Sequence, residues 1–118
     1  MALRITNGEV DGVNVMWLDG RIVLGEESGA LRSTVKSLIA QGNKKLILNM
    51  NNVTLIDSAG LGALVAAYSS TKSNGASLRL CNLGTKFTEL LQITKLLTLF
   101  DVYATQADAI RSFSKPVD

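Results

Sequence analysis

Residues 45–62 read Lys45-Leu46-Ile47-Leu48-Asn49-Met50-Asn51-Asn52-Val53-Thr54-Leu55-Ile56-Asp57-Ser58-Ala59-Gly60-Leu61-Gly62. Leu46-Ile47-Leu48 is a continuous apolar run. Such a run suits a strand covered on both faces, as in a parallel sheet under helices. Residues 45–49 are therefore predicted as a short strand. Residues 53–56 form a second extended piece that leads into a turn at Asp57-Ser58. A helix is predicted from that turn to about Ser73, with Leu61, Leu64, Val65 and Tyr68 on one apolar stripe. Asn74-Gly75 ends it.

The flanks repeat the alternation of strand and helix. Upstream, Leu3 and Ile5, then Val13, Val15 and Trp17, recur at period two, and Asp11-Gly12 between them is a hairpin turn pair. A second turn is expected at Asp19-Gly20. Leu31, Val35, Leu38 and Ile39 mark a helix over residues 26–41, with Glu26 and Glu27 at its positive end and Gly42 as its stop. Downstream come a strand over 77–83 and a helix over 85–93 with Phe87, Leu90 and Leu91 apolar. A short strand over 100–103 follows, then a closing helix over 104–113 with Ala107, Ile110 and Phe113 inward. Pro116 marks the tail. The order β-β-α-β-α-β-α-β-α implies crossover connections. The fold class is α/β: a mixed, mostly parallel sheet of four to five strands with helices packed on it, opening with a β-hairpin.

Composition narrows the function. The 118 residues are room for one domain, 1–118, with a core over about 3–113. Hydrophobic residues make up 47% and charged residues 19%, the opposite of a disordered chain. The net charge is +2 with scattered basic residues, which argues against nucleic acid as a partner. No stretch has the roughly 18 apolar residues of a membrane span, so no membrane insertion is expected. The first residues, Met1-Ala2-Leu3-Arg4, lack the pattern of a signal peptide, so a cytoplasmic location is expected. Asn52-Val53-Thr54 has the form of a glycosylation sequon, without a secretion route to use it.

The chain has no histidine. Ser-His-Asp and Cys-His catalysis and His-ligated zinc are thereby excluded. The single cysteine, Cys81, sits in an apolar run and reads as a buried structural thiol. No intramolecular disulfide or multi-cysteine metal site follows, and no cofactor or metal is expected. Ser33-Thr34-Val35-Lys36 and Ser69-Ser70-Thr71-Lys72 fit S-x-x-K, but both fall inside predicted helices without companion motifs. Gly60-Leu61-Gly62 opens a helix after a strand, yet the third position of a dinucleotide fingerprint is Val65. No lysine follows a glycine loop in the manner of a nucleotide hydrolase. The chain is not expected to be an enzyme.

What remains is the turn Asp57-Ser58-Ala59-Gly60-Leu61-Gly62. In its plainest reading Asp57 or Ser58 caps the helix. The two glycines each cost roughly 1 kcal/mol against alanine in a helix, so they call for a reason, such as a close backbone approach. Leu61 between them is expected at the surface, although its place on the apolar stripe argues for the core. A partly apolar knob beside a serine hydroxyl suits a docking surface.

Residues 56–62 resemble the D-S-S-G-L-G signature of STAS domains, specifically the single-domain anti-sigma factor antagonists of bacteria. Leu18-Asp19-Gly20-Arg21-Ile22 is similar to the family's L-x-G-x-[LI] segment, residues 46–49 to its central strand, and residues 90–96 to its third helix and exit. The resemblance covers nearly the whole chain. It implies a STAS-like fold and a partner-switching role in sporulation or the stress response. The unphosphorylated protein would bind an anti-sigma factor with serine kinase activity and free the sigma factor. Phosphorylation of Ser58 would abolish binding, and a PP2C-type phosphatase would reverse it. The implied partner surface is Asp57, Ser58, Ala59, Gly60, Leu61 and Gly62 with Gly20, Arg21 and Val23. Three positions depart from the pattern: Ala59 replaces the second serine, Val23 an acidic residue, and Lys95 a glycine at the helix exit. An alternative within the family is a subunit that regulates an ABC-type lipid transporter or another partner-switching complex.

Overall fold

The computed structural model describes residues 3–114, with Glu26 and Glu27 described by backbone alone. The predicted features at Met1-Ala2 and Pro116, and the placing of the Glu26 and Glu27 carboxylates, lie outside what is described. The elements are β1 (Leu3–Val10), β2 (Val13–Ile22), α1 (Glu26–Ala40), β3 (Lys45–Ile56), α2 (Ser58–Ser73), β4 (Ser77–Cys81), α3 (Thr85–Ile93), β5 (Asp101–Tyr103) and α4 (Gln106–Ser114). The five strands lie in sequence order, β1-β2-β3-β4-β5. The first pair is antiparallel and the rest are parallel, as the apolar centre of β3 predicts.

Successive crossovers of one hand along a sheet in sequence order stack their helices on one face. Leu31, Val35 and Leu38 of α1, Ala63, Leu64 and Ala67 of α2, and Leu91 of α3 share one core with Met16, Leu18, Leu46, Leu48, Leu78 and Leu80. The opposite face gathers Val13, Val15, Ile47 and Cys81 under Ala109, Ile110 and Phe113 of α4. Adjacent residues of β3 thus point into different cores, which is why 46–48 is apolar throughout. Cys81 is fully buried, and burial pushes its thiol up to about 11. It is protonated at neutral pH and serves as core.

Several local expectations are corrected. The two extended pieces over 45–49 and 53–56 are one twelve-residue strand. Asn51 and Asn52 do not break it: Asn52 stays in register with Asp19 of β2, and the Asn51 N–H is satisfied by Asn49 Oδ1 at 3.0 Å. Asp19-Gly20 is not a turn but continues β2, flanked on each side by a register shift against β3, with Gly20 at φ 121°. Glycine is needed there because a left-handed φ strains any side chain. Asp11-Gly12 does make the hairpin turn, at φ 52° and 79°. In α4 the buried residue is Ala109, while Ala107 is exposed.

Three helices end alike. After α1, α2 and α3 the chain reverses through Gly42 at φ 92°, Gly75 at φ 69° and Lys95 at φ 62°. In each case the next residue donates back to the carbonyl five residues earlier: Asn43 to Leu38, Ala76 to Thr71, Leu96 to Leu91. Two of the three left-handed positions hold glycine, and lysine holds the third at a steric cost. Lys95→Gly should therefore raise stability by about 0.5–1 kcal/mol, after allowing for glycine's freer unfolded chain. A urea titration checks this, with the midpoint moving up at unchanged slope. An unchanged or lower midpoint would mean that the lysine carries no strain.

Among the described residues, no helix is long and apolar enough to cross a membrane.

Candidate functional site

Strand β3 delivers Ile56 to the edge of the core, and Asp57 turns the chain into α2. Asp57 is the N-cap, with extended dihedrals. Gly60 N–H donates to its Oδ1 at 2.8 Å. This local cap is what an aspartate three residues ahead of a helical N–H provides.

The same carboxylate also reaches across the fold. Leu24 N–H donates to Asp57 Oδ2 at 2.9 Å, and Asp57 N–H donates to the Ile22 carbonyl at 3.3 Å. Asp57 thus clasps the loop between β2 and α1 to the start of α2. The loop is braced at its other end by Ser28, whose N–H donates to Val23 O at 3.2 Å and whose hydroxyl donates to Gly25 O at 3.2 Å.

The two glycines of the turn have different reasons. A Cβ on Gly60 would lie 2.0 Å from the Ile22 carbonyl oxygen, so the first turn of α2 packs directly on β2 backbone. A Cβ on Gly62 would meet nothing within 4 Å. Gly60 is buried and faces the protein; it is not available to a partner, contrary to its place in the sequence-derived surface. Gly62 is exposed.

Ser58 is the first helical residue and is exposed, and among the described residues its hydroxyl makes no hydrogen bond. Ala59 is half-buried beside it. Leu61 is also half-buried and packs against the main core, so it is not the exposed knob expected. The inward face of α2 is built from Gly60, Ala63, Leu64, Ala67 and Thr71. The small residues among them, Gly60, Ala63 and Ala67, bring the helix close to the sheet and leave Leu61, Val65 and Tyr68 on its flank.

The structure draws Val23 to the site, between Ile22 and Leu24, which both bond Asp57. Gly20 lies farther back on β2, where its carbonyl accepts from Thr54 Oγ1 at 3.2 Å. Arg21 is exposed and in register with Leu55. Sequence reasoning missed Leu24. It is 77% exposed beside the clasp, and Leu55 is 52% exposed on the strand that leads to it. A hydropathy pattern assigns leucines inward, and only the glycine that follows Leu24 could have signalled a loop; in the structure Gly25 has φ 112°.

Acid should release the clasp. The Gly60 N–H first, and the Leu24 N–H second, favour the charged carboxylate and hold Asp57 below its ordinary value of 3.8. A depressed folded value contributes stability that is fully present above the unfolded value and is lost as pH falls through the folded one. Protection of the Leu24 amide from hydrogen exchange should therefore decline as the pH falls below that ordinary value and through the lower folded one. In Asp57→Asn, which has no carboxylate to titrate, it should be flat over the same range. Exchange followed by NMR decides this, and equal acid profiles for the two chains would remove Asp57 from the clasp.

The profile of the STAS domain matches residues 5–109. The anti-sigma-B factor antagonist of Bacillus subtilis is 32% identical over 81 residues, covering 69% of this chain and 73% of that protein. An anti-sigma factor antagonist from Mycobacterium paratuberculosis superposes with a TM-score of 0.84 at 22% identity, over 96% of this chain and 95% of that one. The Bacillus cell fate determinant SpoIIAA in its phosphorylated form gives 0.72 at 20% identity, over 93% and 99%. At those identities the two solved structures bear on the fold, and the fold is the same.

Proposed function

We propose, for a chain that belongs to the STAS domain family, that it acts as an antagonist of an anti-sigma factor, switched by phosphorylation at Ser58. The unphosphorylated protein binds an anti-sigma factor that is also a serine kinase, and so frees the sigma factor. Phosphorylation of Ser58 ends binding, and a PP2C-type phosphatase restores it. The protein works by occupying a partner and carries out no chemistry of its own.

The observation that carries this reading is the state of Ser58. It is exposed, it opens a sixteen-residue helix, and its hydroxyl is not spent on the fold. Asp57 does the capping, so Ser58 is free for another task. The name of the Bacillus subtilis relative supports the class of partner. Ala59 leaves a single hydroxyl in the turn, which makes the acceptor unambiguous. The contact surface in this reading is Ser58, Ala59 and Gly62, with Leu61 on its flank, and the clasped loop around Val23 beside it.

The test is direct. Wild type and Ser58→Ala are incubated with a cognate anti-sigma factor kinase and with ATP. Wild type takes up one phosphate, mapped to Ser58, and Ser58→Ala takes up none while still binding. Label incorporated by Ser58→Ala at the wild-type rate would overturn the assignment. Failure of the unmodified chain to bind any anti-sigma factor of its own cell would overturn the function.

A further inference from the structure

The two halves of β3 have different neighbours. Residues 45–49 pair with β4 on one edge, and from Leu46 onward the strand pairs with β2 on the other. Beyond Asn49 the pairing with β2 continues to Ile56, but among the described residues no strand adjoins the other edge. Such an edge presents N–H and C=O groups that an added strand could pair. Here it is not flat and open, because α3 lies alongside it. Between them is a cleft of about 390 Å³, walled by Val53, Leu55 and Ile56 on one side and by Phe87 and Leu90 on the other. Lys86 lines the same cleft, and no carboxylate does. The helix beside it starts at Gly84 without a side-chain cap, and its first turn holds no acidic residue.

We propose that this cleft receives a short extended peptide segment that adds as a strand to the open edge of β3 and carries an acidic side chain toward Lys86. Three independent features select that occupant. The unpaired edge supplies main-chain hydrogen bonds, the part of strand addition that gives affinity. The apolar walls take alternate side chains, which gives preference. Lys86 and the uncapped amides of α3 complement a carboxylate and disfavour a basic segment. This site is separate from the Ser58 contact and does not depend on it, although β3 leads from one to the other.

The probe is an acetylated and amidated pentapeptide of alternating valine and glutamate, titrated into the full chain and followed by amide NMR shifts. Saturable shifts are expected at β3 residues 50–56 and at Thr85, Lys86 and Phe87. The same peptide with its backbone amides N-methylated should bind at least about tenfold more weakly, since it cannot pair with the edge. Replacing its glutamates by lysines should cost about tenfold against wild type, and Lys86→Glu should reverse that preference. Lys86 is exposed, so the variant is expected to fold, and an unchanged melting temperature verifies it. Absence of saturable shifts overturns the proposal. Equal binding of the N-methylated peptide also does, because the cleft would then read side chains alone. So does octanoate that binds where the peptide does not, which would make the site one for small amphiphiles. A chain that dimerises through these residues and excludes the peptide would likewise overturn it.

Discussion

Gly60→Ala is expected to cost about 3 kcal/mol of stability, while Gly62→Ala, two residues along the same helix, should add about 0.4–1 kcal/mol. The difference lies in what the new methyl meets. At Gly60 it would stand 2.0 Å from the Ile22 carbonyl oxygen, which is backbone and has no rotamer in which to retreat. Either the first turn of α2 lifts from β2 or β2 shifts within the sheet. Both movements strain the Asp57 N–H bond to Ile22 O and the carboxylate bond to Leu24 N–H. At Gly62 the methyl enters open space, and alanine restricts the unfolded chain at no cost to the folded one. Thermal melts separate the two: a fall of roughly ten degrees or more for the first, and a small rise for the second. Comparable melts for both variants would contradict the close approach at Gly60.

The pair also shows how the sequence encodes the site. Two glycines in an opening turn signal that something needs a bare backbone, but the signal does not say from which side. Gly60 answers to Ile22, 38 positions back, and Gly62 answers to solvent. The same limit applies to Asp57. Its cap to Gly60 is local and legible, whereas its second bond, to Leu24, spans 33 residues and is a product of the tertiary fold. Elements with strong periodicity were legible: Leu31, Val35 and Leu38 all enter the core, and the apolar centre of β3 divides between two cores as its position between helix layers requires. Where packing used small residues, periodicity misled. The inward face of α2 follows Gly60, Ala63, Leu64, Ala67 and Thr71: Leu64 is core as the stripe of large residues suggested, while Leu61, Val65 and Tyr68 of that stripe are only partly buried beside it. The predicted strand stops at Asn49, whereas pairing with β2 from Asn52 onward carries it to Ile56 although asparagine is a poor strand former.

Phosphorylation of Ser58 should lower affinity for the anti-sigma factor at least about a hundredfold, near 2.7 kcal/mol, and leave the fold intact. The modification adds about −1.5 to −2 charges. In the free protein that charge stands at the N-terminus of α2, where the helix dipole favours an anion and solvent covers the residue. The Asp57 carboxylate next to it opposes the new charge, but Asp57 keeps its own donors in Gly60 and Leu24, so the clasp persists. No hydrogen bond of the Ser58 hydroxyl is lost among the described residues, since none is made. The penalty arises in the complex. In the proposed complex the dianion would have to be stripped of water, with the Asp57 carboxylate beside it adding like charge. Ser58→Glu carries half the charge and a shorter reach, so its loss of affinity should be partial, about tenfold. Ser58→Ala should bind like the unmodified chain and melt within about 0.5 kcal/mol of it, as an exposed substitution with no partner does. Calorimetric titration of the four forms against the anti-sigma factor, with a melt of each alone, separates the alternatives. Should the phosphorylated form melt many degrees lower while its folded fraction binds normally, the serine guards the start of α2, and the charge at that position acts on folding and not on the partner.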